Sequence, residues 1–467
     1  MDLWQLDATD LARLIRLGKV SARDAVVSCL GRMDAVNPKL NAVVRRMDSE
    51  ALAQADAADA ARSRGDALGP LHGVPVTTKI NTDQKGHPTD GGVVAFKDIV
   101  AAEDAPVVAN LRSAGAIFIG RTNAPAFSMR AFSDNELHGR TYNPRDKGIG
   151  PGGSSGGAGA AIAAGIGPIA HGNDIGGSVR IPAYCNGVVG LRVGLGRVPA
   201  FNLSATAARP IGNTLMATQG PHTRTVRDAR LALAVMAKGD PRDTRWVDAP
   251  LIGPPPARPL RVAIAPAIPG GFTHPAQAEA VRRAGTHLAA AGYVIEEVVP
   301  PDLEDIVRVW HVIGSGDLFR SLAPNIEKYG DANAVTSLRH WLTLSPPITD
   351  LGTVLDAYAR RDLLIFHWQE FFQRYAAVVM PTLCDLPPPV DQDLTLEGQQ
   401  KVLDALRVSF LAPALGLPGL AVPVGSHGSL RTGVQIVTGR MREDLALDAG
   451  EVIEAAEGTV QPIDPAW

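Results

Sequence analysis

Two glycine-rich segments decide the reading of this chain: Pro151-Gly152-Gly153-Ser154-Ser155-Gly156-Gly157 and Gly172-Asn173-Asp174-Ile175-Gly176-Gly177-Ser178-Val179-Arg180-Ile181-Pro182. Taken alone, the first resembles a flexible Gly/Ser linker. Its flanks argue against that, because residues 158–164 are small, apolar and helix-like, so these glycines serve close backbone approach inside a fold. A phosphate-cradling loop is also a poor match, since neither a Lys-Ser/Thr pair nor a G-x-G-x-x-G opens a helix here. In the second segment, successive amides from Ile175 to Ser178 lie on a turn that can converge on an anion. A serine ending such a turn has its hydroxyl beside donors suited to a tetrahedral oxyanion.

A serine nucleophile needs a base. His138, His171 and His222 are available, but no G-x-S-x-G elbow accompanies them, and each reads more simply as an ordinary surface or core histidine. A lysine serves if burial keeps it neutral. One candidate stands upstream in Gly73-Val74-Pro75-Val76-Thr77-Thr78-Lys79-Ile80, a β-branched run bounded by turn residues that predicts a strand with Lys79 near its end.

The rest of the chain sets these segments in an alternating α/β pattern. The first 65 residues predict helices, one capped by Thr9 and one opened by the box Ser21-Ala22-Arg23-Asp24. A helix over 50–64 ends at Gly65. Helix over 107–114 and strand over 116–120 follow, then strand 260–264, helix 275–291 and strand 293–299. Further on come helix 355–374 and strands 376–380, 420–424 and 434–437. This β-α-β rhythm predicts a largely parallel sheet covered by helices. The triple prolines at 254–256 and 387–389 read as surface loops within one unit, because the same rhythm continues on both sides.

Composition excludes several classes of function. The 467 residues carry a net charge of -3, are 45% hydrophobic and 20% charged, and show no basic surplus for nucleic acid. The longest apolar stretch, 158–170, is too short and too glycine-rich to span a bilayer. Residues 1–7 carry acids where a signal peptide has lysines and an apolar run, so a cytoplasmic protein is expected. Cys29, Cys185 and Cys384 stand too far apart for a disulfide framework or a CxxC metal site and read as small buried hydrophobes. No metal is called for.

Taken together, the lysine strand and the two serine segments resemble the amidase signature family of serine hydrolases. Further blocks fall in the family's order: Thr122-Asn123-Ala124-Pro125-Ala126-Phe127, Tyr142-Asn143-Pro144, residues 220–228, and the closing strands 417–423 and 433–437. The resemblance spans nearly the whole chain and implies an α/β/α sandwich around one large twisted mixed sheet. It implies one unit over 1–467, with N-terminal helices 1–65, a signature core about 65–205 and a variable substrate-pocket part 240–467. By resemblance, Ser178 is the nucleophile, Ser154 (after a cis Gly153-Ser154 peptide) is the relay and Lys79 is the base. The amides of Ile175, Gly176, Gly177 and Ser178 form the oxyanion hole, and Ser155, Asp174 and Arg180 support the loops. Ser128, Met129 and Arg130 border the acyl pocket with Phe132 nearby, and Arg130 offers a partner for a substrate carboxylate. Residues 310–319 and the helix around Phe366-His367-Trp368 offer the far wall.

The expected reaction is hydrolysis of the C–N bond of a small or medium carboxamide, an anilide, or a carbamate or ester, with water as the second substrate and no cofactor. The alternative is the amidase subunit of a tRNA-dependent amidotransferase. Homodimers are common in the family, which makes a homodimer one expected assembly. The chain departs from the family pattern at Ala126, at Ile80-Asn81, at Asn173 where threonine is commoner, and at Arg192-Val193 where Lys-Pro is usual.

Overall fold

The computed structural model describes residues 2–205, 207–346, 348 and 350–467. Its centre is one mixed sheet of 11 strands. In chain order these are β1 (Val43–Arg46), β2 (Pro75–Lys79), β3 (Ile117–Thr122), β4 (Ile169–Asp174), β5 (Val189–Arg192) and β6 (Thr218–Thr223). They continue with β7 (Arg261–Ile264), β8 (Val294–Glu297), β9 (Ala377–Pro381), β10 (Gly419–His427) and β11 (Leu430–Val437). Across the sheet the order is β1-β3-β2-β4-β6-β5-β10-β11-β9-β7-β8. β2 pairs in parallel with both β3 and β4, and β7 with both β8 and β9. The remaining pairings, β5 with β6 and β10 with β11 among them, are antiparallel. The mixed sheet between helical layers that the resemblance implies is therefore the fold. The largely parallel sheet predicted from the β-α-β rhythm is not, because β1, β5, β6, β10 and β11 pair only antiparallel.

Side chains alternate along each strand and separate the two layers. Val76, Phe118, Val262, Ile264 and Val379 face a core built with helices Pro106–Ser113, Val226–Met236, Pro275–Ala290 and Glu443–Glu457. Their strand neighbours turn the other way: Ile117 and Ile119 onto helices Ala22–Leu40 and Asp48–Arg64, and Ala263, Val378 and Met380 onto the C-terminal helices. The capping box at Ser21 and Asp24 is present, and Gly65 ends its helix in the left-handed region. Thr9 is not a cap. Asp7 caps helix Ala8–Arg16, and Thr9 instead donates to the Asp228 carboxylate 2.7 Å away, a long-range partner that local pattern does not reveal.

What positions the site is the path of the chain around β2. From β2 it moves to β3 on one side, then crosses to β4 on the other, so a crevice opens beyond the carboxyl ends of β2 and β4. Lys79 ends β2 and Asp174 ends β4. Among the described residues no helix is long and apolar enough to cross a membrane. The three cysteines are free and buried.

Candidate active site

Lys79 is wholly buried at the end of its strand. Its Nζ lies 2.6 Å from Ser154 Oγ and 2.8 Å from Asn173 Oδ1. Burial pushes the amine down to about 7, opposed only by the more distant charge of Asp174. Ser154 is held on the loop before helix Gly156–Ala163, and the Gly153-Ser154 peptide is cis. Glycine is required at 153, because a Cβ there would sit 2.4 Å from the Arg130 carbonyl. Ser133, which sequence reading missed, ties this loop down: its Oγ accepts from Gly156 N and donates to Gly152 O. Ser155 is buried and donates at 3.5 Å to the Asn173 carbonyl.

Asp174 organises the second segment. Its carboxylate accepts from Gly177 N at 2.9 Å and Val179 N at 3.2 Å, and from both Arg180 and Arg192. Burial alone would raise its pKa, but the two guanidiniums hold it well below the usual carboxylate range. Arg180 reaches on to Gln435 and the Ser409 carbonyl, and Arg192 to the Asp174, Met216 and Leu417 carbonyls. The departure from Lys-Pro at 192–193 thus supplies a second guanidinium to the turn. Arg192, Gln435 and Ser409 carried no local signal, since their partners lie on other elements.

The four expected oxyanion amides divide. Ile175, Gly176 and Ser178 are on the wall of a cavity open to solvent, with Ser178 half-buried there. Gly177 is not: its N–H donates to Asp174 at 2.9 Å, and its φ of 115° is one that glycine adopts freely. The expected hole therefore loses one donor to the carboxylate that shapes the turn.

Ser128, Met129 and Arg130 also line that cavity, where carboxylates hold two nitrogens of Arg130 and Nη1 has no hydrogen-bond partner among the described residues. Its Nε and Nη2 are 2.8 and 2.7 Å from the Asp393 carboxylate, and Nη2 also reaches Asp391. Phe132 lies behind the wall, buried against Gly150 and outside the cavity lining. The far wall is aromatic. Trp310 and Phe410 stack with centroids 4.0 Å apart and planes 13° from parallel, and Trp341 stands 5.8 Å from Trp310. Trp310 Nε1 donates to the Ile175 carbonyl at 2.9 Å. From the stretch 310–319 only Trp310 reaches the lining, and the side chains of Leu318 and Phe319 lie outside the described residues. The helix around residue 367 takes no part: Phe366 is exposed, His367 meets Asp302, and buried Trp368 donates to the Pro301 carbonyl.

The histidines are occupied elsewhere. His222 Nε2 lies 2.9 Å from the Val179 carbonyl, His171 Nε2 lies 2.7 Å from Gln219, and His138 meets Asp90. Burial pushes His171 down to about 4 and His222 to about 3, so both are neutral.

A buried lysine beside a serine loop, and a carboxylate-braced turn, on a mixed α/β/α sheet fit a hydrolase of the amidase signature type. The family model described as Amidase matches residues 24–447, and the chain belongs to that family. It is 48% identical over 463 residues to an indoleacetamide hydrolase of Bradyrhizobium diazoefficiens, covering 98% of this chain and 88% of the relative. One component of the glutamyl-tRNA(Gln) amidotransferase of Moorella thermoacetica stands further off, at 31% over 97% of each chain. Among solved structures, a 6-aminohexanoate cyclic dimer hydrolase complexed with substrate superposes with a TM-score of 0.85 at 27% identity, covering 100% of this chain and 99% of that one. The protein is an amidase that hydrolyses amides, and the amidotransferase alternative is the more remote one.

Proposed function

We propose that this amidase cleaves the primary amide of a flat aryl-acetic acid, with indoleacetamide as its model substrate, through an acyl-enzyme on Ser178. The observation that carries the chemistry is the 2.6 Å contact of wholly buried Lys79 with Ser154, beside the cavity that Ser178 lines. Neutral Lys79 accepts a proton from Ser154, which takes one from Ser178 as its oxygen attacks the amide carbon. The negative charge developing on the carbonyl oxygen is met by amides of the braced turn, Ile175, Gly176 and Ser178. The relay then returns a proton to the departing nitrogen, ammonia leaves, and water releases the acid by the same route.

The substrate class is supported by the wall. Trp310, Phe410 and Trp341 with Met129 present flat, polarizable surface suited to an aromatic ring. Arg130 is already neutralised by carboxylates, which favours an uncharged acyl group over one bearing a carboxylate. The 48% identical relative is named for the same kind of substrate.

The test is a steady-state comparison of purified protein on indoleacetamide, phenylacetamide, hexanamide and glutamine, reading ammonia and acid. Indoleacetamide and phenylacetamide should exceed the other two in kcat/KM by about tenfold or more, the scale of a few apolar contacts. Preference for glutamine would refute the aryl reading and favour a role within an amidotransferase. Loss of all turnover in Ser178→Ala checks the nucleophile.

A further inference from the structure

Lys79 has a second polar neighbour besides Ser154, and that neighbour is part of a chain leading to the acyl pocket. Asn173 Oδ1 accepts from Lys79 Nζ at 2.8 Å and from Asn81 Nδ2 at 3.3 Å. Asn173 Nδ2 donates to Asn81 Oδ1 at 2.9 Å, so the two amides pair face to face. Asn81 Oδ1 also accepts from Thr82 Oγ1, and Asn81 Nδ2 donates to Ser128 Oγ at 2.9 Å. Ser128 lines the cavity and, with Phe127, holds a positive φ unusual for a residue other than glycine.

As placed, Asn173 turns its oxygen to the amine and its NH2 to Asn81. Were Asn173 turned over, its NH2 would face the amine, and its oxygen would face the Asn81 carbonyl with no hydrogen between them. A carbonyl oxygen has no proton to give, so the amine meets Asn173 with an N–H. A neutral amine has two N–H groups and one lone pair. With one N–H committed to Asn173, the lone pair is left for Ser154 Oγ, the neighbour that has a proton to give. A threonine hydroxyl at 173, the commoner residue there, both donates and accepts and imposes no such direction.

We propose that Asn173 and Asn81 are positioning residues for Lys79: their paired amides direct the amine's lone pair onto Ser154 and tie that arrangement to the pocket wall at Ser128. The proposal rests on the reading of Lys79 as the base. It carries a charge signature, because a hydrogen-bond acceptor favours the ammonium form and a carboxylate favours it far more. The other groups facing Lys79 are Asp174 at the end of β4, His171 on β4 and His222 on β6, both neutral, and Arg121 on β3, whose Nη2 donates to the Lys79 carbonyl. None of them changes in the variants below.

The test follows the rate at which a fluorophosphonate labels Ser178 across the pH range, which needs no knowledge of the substrate. Attack by the serine oxygen expels fluoride while the proton passes to the base, so the acidic limb of that rate reports Lys79. Asn173→Asp should move the limb up by about one to three pH units. At about pH 7 this slows labelling about 5- to 500-fold, with recovery at high pH. Asn173→Ala should move the limb the opposite way and lower the plateau, and Asn81→Ala should follow it. Opposite displacement is what a merely structural role would not produce. Lys79→Ala, run alongside, should lack the limb. Should Asn173→Asp not fold, the direction in Asn173→Ala decides. A limb left at the wild-type position in either Asn173 variant, while Lys79→Ala has lost it, overturns the positioning role alone. A limb that survives in Lys79→Ala overturns the base and this proposal with it.

Discussion

Replacing Lys79 should change catalysis and stability together, and the structure sets the size of both. A free lysine titrates near ~10.4, so at about pH 7 only about 0.04% of it is neutral. With burial bringing the amine to about 7, half is neutral, a gain of about 1,000-fold in competent base. kcat/KM should therefore fall about tenfold per pH unit below about 7 and level off above it. Lys79→Ala should lose that limb and most of the activity. The same shift destabilises the fold. Because the folded pKa lies below the unfolded one, stability is greatest above about 10.4, is lost as pH falls toward 7, and changes little below. At about pH 7 the penalty is on the order of 4 kcal/mol, and at about pH 9 on the order of 2. Urea denaturation of wild type and Lys79→Met at the two pH values should show wild type gaining about 2 kcal/mol relative to the variant. The lost partners of Ser154 and Asn173 enter both measurements equally and cancel. A stability difference independent of pH, or an acidic limb unchanged in Lys79→Ala, would refute a buried neutral lysine.

Ser178→Ala should abolish turnover while leaving the denaturation midpoint nearly unchanged, and mass spectrometry of fluorophosphonate-treated wild type should place the label on Ser178; a label on another serine rejects the assignment. Trp310→Phe keeps an aromatic wall but loses the donor to the Ile175 carbonyl, whose planar peptide also aims the Gly176 N–H. A hydrogen bond of about 1–1.5 kcal/mol predicts about a tenfold fall in kcat with a smaller change in KM; an unchanged kcat would show that the turn needs no such brace. Glu454 is pushed up to about 7 by burial and by the Asp228 and Glu451 charges, against the Val226 amide it accepts from. An acid with a raised folded pKa gives stability present below about 4.3 and lost as pH rises to about 7. Glu454→Gln, which still accepts from Val226, should thus stabilise by about 1–2 kcal/mol above neutrality and by little near pH 4, with partial exposure discounted; equal effects at both pH values would contradict this.

Much of the site was legible because its parts are local. Glycines at 153 and 177 announce backbone that no side chain allows, the run ending in Lys79 has the period of a strand, and helix 275–291 closes within a residue of its observed end. Such signals depend on a residue's own dihedral freedom or on neighbours within a turn. Strand β6, Thr-Gln-Gly-Pro-His-Thr, escaped because it has neither apolar run nor alternation; β4 and β5 supply its partners on both sides. The same holds for side chains. The family resemblance sets Arg130 at the pocket as a partner for a substrate carboxylate, yet Asp391 and Asp393, more than 250 positions later, hold two of its nitrogens. Nothing around Arg192 foretells that it grips Asp174, nor around Asn81 that it faces Asn173. The sequence by itself determined the α/β alternation, the two serine turns and the strand that ends in Lys79, since each is set by forces acting along the chain. The tertiary structure alone decided which charges cancel, which amide points at the base and which rings wall the cavity, because burial and hydrogen bonding join groups that only folding brings within 3 Å.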